Sequence, residues 1–241
     1  MDHLQYSEAI RRDGAALATA AGHAGVDGRV PSCPEWTVAD LLGHVGRIHR
    51  WVTAIVEQRP GATEHHWSES EPPAVEKRIE WFSQGLDPLA DALAAADPAT
   101  EVWSWTDDHS VGFWARRQAN ETAVHRWDAE LAAGHPEPIA VDLAVDGIDE
   151  RLLLLGSWRG AEQLRSLHGT IHVHCTDADG EWLLRLDEGV EVTREHAKGD
   201  VAARGPASDL LLVLYGRAEL STLELFGDAA LFEDFVARSR W

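Results

Sequence analysis

Apolar residues in the first half of the chain recur at helical rather than strand spacing. From about residue 3 to 22, Ala-rich helix formers carry apolar positions at Leu4, Ile10, Leu17 and Ala21, and the run stops at Gly22 and Gly25. A first helix is predicted there. The loop Val30-Pro31-Ser32-Cys33-Pro34-Glu35-Trp36 is stiffened by its prolines and ends on Thr37, with Asp40 completing a capping-box pattern. A second helix starts at that cap. Leu41, Val45, Ile48, Val52 and Ile55 then step by alternating fours and threes, so one stripe faces a core. Helix signals resume from about Pro73 and run to Ala96, where Asp97-Pro98 ends them. Gly85 and Pro88 interrupt this segment, which predicts a kink or a split. After an aromatic-rich connection around Trp103 and Trp105, a further helix begins near Val111 to Phe113. Gly134-His135-Pro136-Glu137-Pro138 breaks it and reads as an interdomain linker.

Beyond that linker the period changes. Val141 to Leu155 reads as a Leu-rich helix closed by Gly156, and Leu167 to Cys175 alternates as a strand. Asp177-Ala178-Asp179-Gly180 is a turn leading into a second strand, Glu181 to Leu186, and Val190 to Arg194 reads as a third. Helices are expected from Pro206 to Tyr215 and from Asp228 to Arg238. The expected organisation is a helical domain over residues 1–135 followed by a smaller α+β domain over 141–241.

Composition narrows the function classes. The 241 residues carry 41 acidic against 21 basic side chains, a formal charge of -20, with lysine at Lys77 and Lys198 alone. So negative a surface repels nucleic acid and anionic membranes, and neither is expected as a partner. Cys33 and Cys175 lie far apart without Cys-x-x-Cys spacing, so neither a disulfide framework nor a thiolate zinc cluster is expected. Met1 to Tyr6 has no basic stretch leading into an apolar run, and no window reaches the length of a membrane span. The expectation is a cytoplasmic protein, monomeric or homodimeric.

The strongest chemical signal is Asn120-Glu121-Thr122-Ala123-Val124-His125-Arg126-Trp127-Asp128. On a helix, Glu121 and His125 lie one turn apart, where a carboxylate oxygen and an imidazole nitrogen can converge on a metal. The alternative is an ion pair between Glu121 and Arg117. The second helix is the best supplier of another ligand, but periodicity does not choose between His44 and His49, which sit at opposite edges of its apolar stripe. Arg78 and Lys77 are candidates to hold an acidic substrate. His65-His66 reads as solvated loop. His168, His172 and His174 share one face of their strand, which makes a second metal site conceivable; with no acidic or cysteine partner at suitable spacing, a boundary strand face is the expectation.

Val30 through His44, together with Val111-Gly112-Phe113-Trp114-Ala115-Arg116-Arg117 and Glu121 through Asp128, resembles the mycothiol-dependent maleylpyruvate isomerase family. Val145 to Glu150 and the stretch from His168 to Gly216 are similar to that family's C-terminal half. The resemblance implies a DinB-like four-helix bundle followed by a sterol-carrier-protein-like α+β domain. It implies zinc, or another divalent metal, on His44, Glu121 and His125, and so selects His44 over His49. The implied partners are mycothiol and a small electrophilic substrate bearing carboxylates, such as maleylpyruvate. Thiolate addition, bond rotation and elimination would then turn a cis double bond trans. Asp128 is a candidate to orient a ligand, or else to bind Arg126. A zinc hydrolase, or a metal-containing binding or regulatory module without catalysis, are the competing readings.

Overall fold

The computed structural model describes residues 1–59, 62–63, 71–156, 162–187 and 189–239. His65 and His66 lie outside the described residues. Two compact units divide the chain, Met1–Glu137 and Pro138–Trp241.

The first unit is helical. Helix α1 (His3–Ala24) starts on a capping box: the Asp2 carboxylate accepts from the Gln5 backbone N–H at 2.9 Å, and Gln5 Oε1 accepts from the Asp2 N–H at 2.7 Å. Tyr6, Ala9, Ile10, Leu17 and Ala21 form its buried face, whereas Leu4, expected inside, is 58% exposed. Gly22 does not stop the helix. It ends at Gly25, whose φ of 78° suits glycine and whose N–H closes onto the Ala21 carbonyl.

Helix α2 (Val38–Val56) opens on the Thr37/Asp40 box, with each side chain accepting from the other's backbone N–H. Its predicted stripe, Leu41, Val45, Ile48, Val52 and Ile55, is buried throughout. The third segment is split. Helices α3 (Arg78–Ser83) and α4 (Leu86–Ala95) are separated at Gln84-Gly85, while Pro88 sits inside the first turn of α4, where its missing N–H costs nothing. Leu17, Val30, Leu41, Leu42, Val45, Phe82 and Leu86 meet in one core cluster.

Helix α5 (Val111–Ala133) is capped by Ser110, which accepts from the Phe113 N–H, and ends at left-handed Gly134. It packs along α1 and is buried on most sides, polar residues included: Gln118, Asn120, Thr122, His125, Arg126 and Asp128 are all inside. Such groups need partners. Arg126 pairs with Asp13 of α1 at 3.2 Å and with Glu130 at 2.6 Å, an inward ion network that ties the two helices.

The second unit starts with α6 (Val141–Gly156) and carries a mixed five-stranded sheet in the order β3-β2-β1-β4-β5. The strands are β1 (Gly169–Cys175), β2 (Glu181–Leu186), β3 (Val190–Thr193), β4 (Val201–Gly205) and β5 (Glu224–Gly227). Strands β1 and β4 are parallel; the other pairs are antiparallel. Helices α7 (Ala207–Leu214) and α8 (Ala229–Arg238) pack on β1 and β4. Alternation sends Ile171, Val173, Trp182, Leu184 and Leu186 into the core. Strands β4 and β5 are not expected from the sequence, since Val-Ala-Ala-Arg-Gly lacks the β-branched and aromatic density of a strand and β5 is a short edge. Among the described residues no helix is long and apolar enough to cross a membrane.

Candidate metal centre

The four-residue spacing on α5 does what helical geometry requires, placing Glu121 and His125 on one face where α5 meets α2. There His44 joins them: a His44 nitrogen, a Glu121 oxygen and a His125 nitrogen all lie within 4.8 Å of one another. His44 Nε2 is 3.5 Å from Glu121 Oε1. The other carboxylate oxygen, Oε2, is 3.7 Å from Arg117 Nε and accepts from Gln118 Nε2 at 3.3 Å. The expected Arg117 contact therefore coexists with the histidine cluster.

Burial acts to raise the Glu121 pKa, yet the hydrogen bond from His44 and the charges of Arg117, His44 and His125 outweigh it and hold the carboxyl well below the usual range. It stays ionised. His125 donates from Nδ1 to Asp128 Oδ2 at 2.8 Å, so Nε2 is the ring nitrogen able to coordinate. Asp128 is fully buried and its second oxygen accepts from Ser32 Oγ at 2.5 Å, on the proline-stiffened loop. It lies beside His125.

His49 sits five residues beyond His44, about 140° round the helix. It is buried, hydrogen-bonded through Nε2 to Thr122 Oγ1 at 3.0 Å, and burial pushes its pKa down to about 3. The structure thus brings His44, and not His49, to the Glu121/His125 pair.

Trp36 lies against both imidazoles, with ring centroids 4.9 Å from His44 and 6.2 Å from His125. Trp51, Trp103 and Trp114 instead pack on one another. A groove of about 910 Å³ opens at His44, lined also by Trp36, Asp40, Arg47, Glu71 and Arg78. Arg78 does reach it, but its guanidinium donates to the Ala39 carbonyl at 2.8 Å and to that of Pro73 at 3.3 Å, so it also fastens α2 to the segment before α3. Lys77 is exposed. Arg47, three residues after His44, lies on the same helix face and is a groove residue that local pattern does not single out. It pairs with Glu71 at 2.9 Å on the groove wall.

A helical unit with two imidazoles and a carboxylate converging between α2 and α5, joined to a mixed-sheet α+β unit, defines a class of two-unit proteins with a donor set suited to a divalent cation. Residues 7–130 match the mycothiol maleylpyruvate isomerase N-terminal domain, and residues 142–234 match the MDMPI C-terminal domain. The chain belongs to the mycothiol maleylpyruvate isomerase family. Two solved structures share the fold over 93% of this chain and 93% of their own, each with a TM-score of 0.60 and 10% identity: the mycothiol-dependent maleylpyruvate isomerase and a histidine-to-alanine mutant of it. A ubiquinone synthesis protein, UbiJ-SCP2, aligns at 22% identity and a TM-score of 0.32 over 41% of this chain and 89% of its own. No curated protein matches the chain.

Proposed function

We propose that this chain is a metal-dependent enzyme that uses a small thiol, mycothiol, for cis–trans isomerisation or S-transfer on a small carboxylate-bearing electrophile of the maleylpyruvate kind. One observation carries the reading: the His44, Glu121 and His125 donors converge beside a groove that also holds Arg47 and Arg78.

The donor set fits a zinc-class cation, because two neutral imidazoles and one carboxylate leave net positive charge and open positions. A cation held by His44, Glu121 and His125 would supply positive charge that favours the thiolate form of an entering thiol and polarises a substrate carbonyl. Asp128 keeps His125 in the tautomer and orientation that present Nε2. Trp36 walls the two imidazoles and keeps water from that side. Arg47 and Arg78 hold the substrate carboxylates by charge-assisted hydrogen bonds. The nucleophilic sulfur comes from solution. Cys33 packs on the bundle core, and the Cys175 thiol is pushed up to about 12 by burial.

The test is turnover of maleylpyruvate by untagged protein with and without mycothiol, beside elemental analysis. In His44→Ala, Glu121→Ala and His125→Ala, thiol-dependent turnover should vanish and one cation per chain should be lost. Turnover independent of thiol would turn the assignment toward hydrolysis. Unchanged cation content in all three variants would end it.

A further inference from the structure

The second unit holds a cluster that local sequence reveals only in part. His172 and His174 share a face of β1, as their alternation requires, and the β1–β2 register sets Glu181 directly opposite His174 on that face. Thr193 pairs with Leu183, so the chain leaving β3 runs back past Glu181 and delivers His196 to the same spot. The acidic partner missing from the local sequence is thus supplied across the strand pair. His168 stays outside, ahead of β1, exposed and 3.6 Å from Asp187.

One nitrogen from each of the three histidines and a Glu181 oxygen all lie within 4.8 Å of one another. Glu181 Oε2 is 2.5 Å from His196 Nδ1 and 3.5 Å from His172 Nε2, and Oε1 is 2.7 Å from His174 Nδ1. The four donor atoms lie within 4.8 Å of one another, and tetrahedral ligands bound at about 2.1 Å stand roughly 3.4 Å apart, so small side-chain shifts bring them onto one ion. Hydrogen bonding alone does not account for the arrangement. His196 Nδ1 is hydrogen-bonded to Glu181 and His174 Nδ1 lies within hydrogen-bond distance of it, while the buried His172 Nε2, 3.5 Å away, has no well-formed hydrogen bond among the described residues. Three imidazoles converge on one carboxylate, and a shared cation would satisfy their inward nitrogens together.

We propose that His172, His174, Glu181 and His196 form a second metal site, for a zinc-class divalent cation. With four protein ligands it is a closed, structural site, distinct in kind from the three-ligand set on α2 and α5. Its role follows from the chain path. His196 lies on the irregular connection between β3 and β4 and is 80% exposed, whereas His172 is buried in the sheet. A cation joining them pins that connection to the β1–β2 face. The imidazole majority selects zinc, cobalt or nickel over calcium or magnesium.

The test uses full-length, untagged protein stripped with chelator and titrated with Co2+, whose visible absorption reports tetrahedral coordination. Glu121→Ala, in which the first centre is disabled, should still bind one Co2+ per chain. Adding His172→Ala or His196→Ala should abolish that binding. His196→Ala keeps the test sound if the buried variant fails to fold, since an exposed side chain contributes little to folding. Trypsin cleavage after Arg194 and Lys198 should slow several-fold on metal addition in Glu121→Ala and remain unchanged in the double variant. No Co2+ bound by Glu121→Ala, or full binding retained without His196, overturns the proposal. The first result leaves the assignment of the first centre untouched, and adding His44→Ala to the second tells residual binding at that centre from binding at the cluster on β1 and β2.

Discussion

The buried carboxylate of Asp128 accepts from His125 Nδ1 at 2.8 Å and from Ser32 Oγ at 2.5 Å, joining the α5 histidine to the loop that leads into α2. Asp128 and His125 stand on one helix, three positions apart, and the loop hydroxyl occupies the carboxylate's other oxygen. Orienting partners of this kind sustain both the geometry and the basicity of a ligating imidazole.

Asp128→Asn keeps the shape and removes the charge. It should weaken cation binding at the first centre by about 10–100-fold while leaving the fold intact. A competition titration with a chromophoric chelator measures this directly. Wild-type affinity in the variant would reduce Asp128 to a helix-packing residue.

Arg47 and Arg78 should separate by stability. On the proposed function each would lose a charge-assisted contact to a substrate carboxylate on truncation, worth about 1.5–3 kcal/mol, so KM should rise roughly 10–100-fold in Arg47→Ala and in Arg78→Ala. Arg78→Ala also removes the bond to the Ala39 carbonyl and should cost about 1 kcal/mol of folding stability. Arg47→Ala breaks a pair with the exposed Glu71, a contact worth about 0.2–1 kcal/mol. Steady-state kinetics beside urea unfolding reads both, and an unchanged KM in either variant removes that arginine from substrate binding.

His49 supplies a pH dependence. Burial is the largest influence on it, and its folded pKa of about 3 lies below the usual 6.5. A depressed folded value means the neutral form is favoured by folding. The contribution is fully present above pH 6.5 and is lost as pH falls, by about 1.4 kcal/mol per unit. Between pH 7.5 and 5.0, metal-free wild-type protein should therefore lose about 2 kcal/mol more than His49→Asn. Parallel urea midpoints in the two proteins would place the acid lability elsewhere.

Much of this molecule is written locally. Thr37 with Asp40, Ser110 and Gly134 mark helix ends because a cap is satisfied within a few residues. The four-residue step from Glu121 to His125 and the alternation of β1 likewise depend only on backbone period. Sequence therefore determined the helical-then-α+β order, the break near Gly134 and half of each histidine cluster.

What tertiary structure decided is non-local. Helix α5 has no polar face, so its pattern could not say that Gln118, Thr122 and Asp128 point inward; the packing against α1 and α2 decides that. His44 and His49 are equivalent by period, and the crossing of α2 with α5 separates them. Glu181 and His196 stand seven and 22 positions from His174, and only strand register carries them to it. Local spacing shows which side chains share a face. Which faces meet is set by burial and pairing over the whole chain.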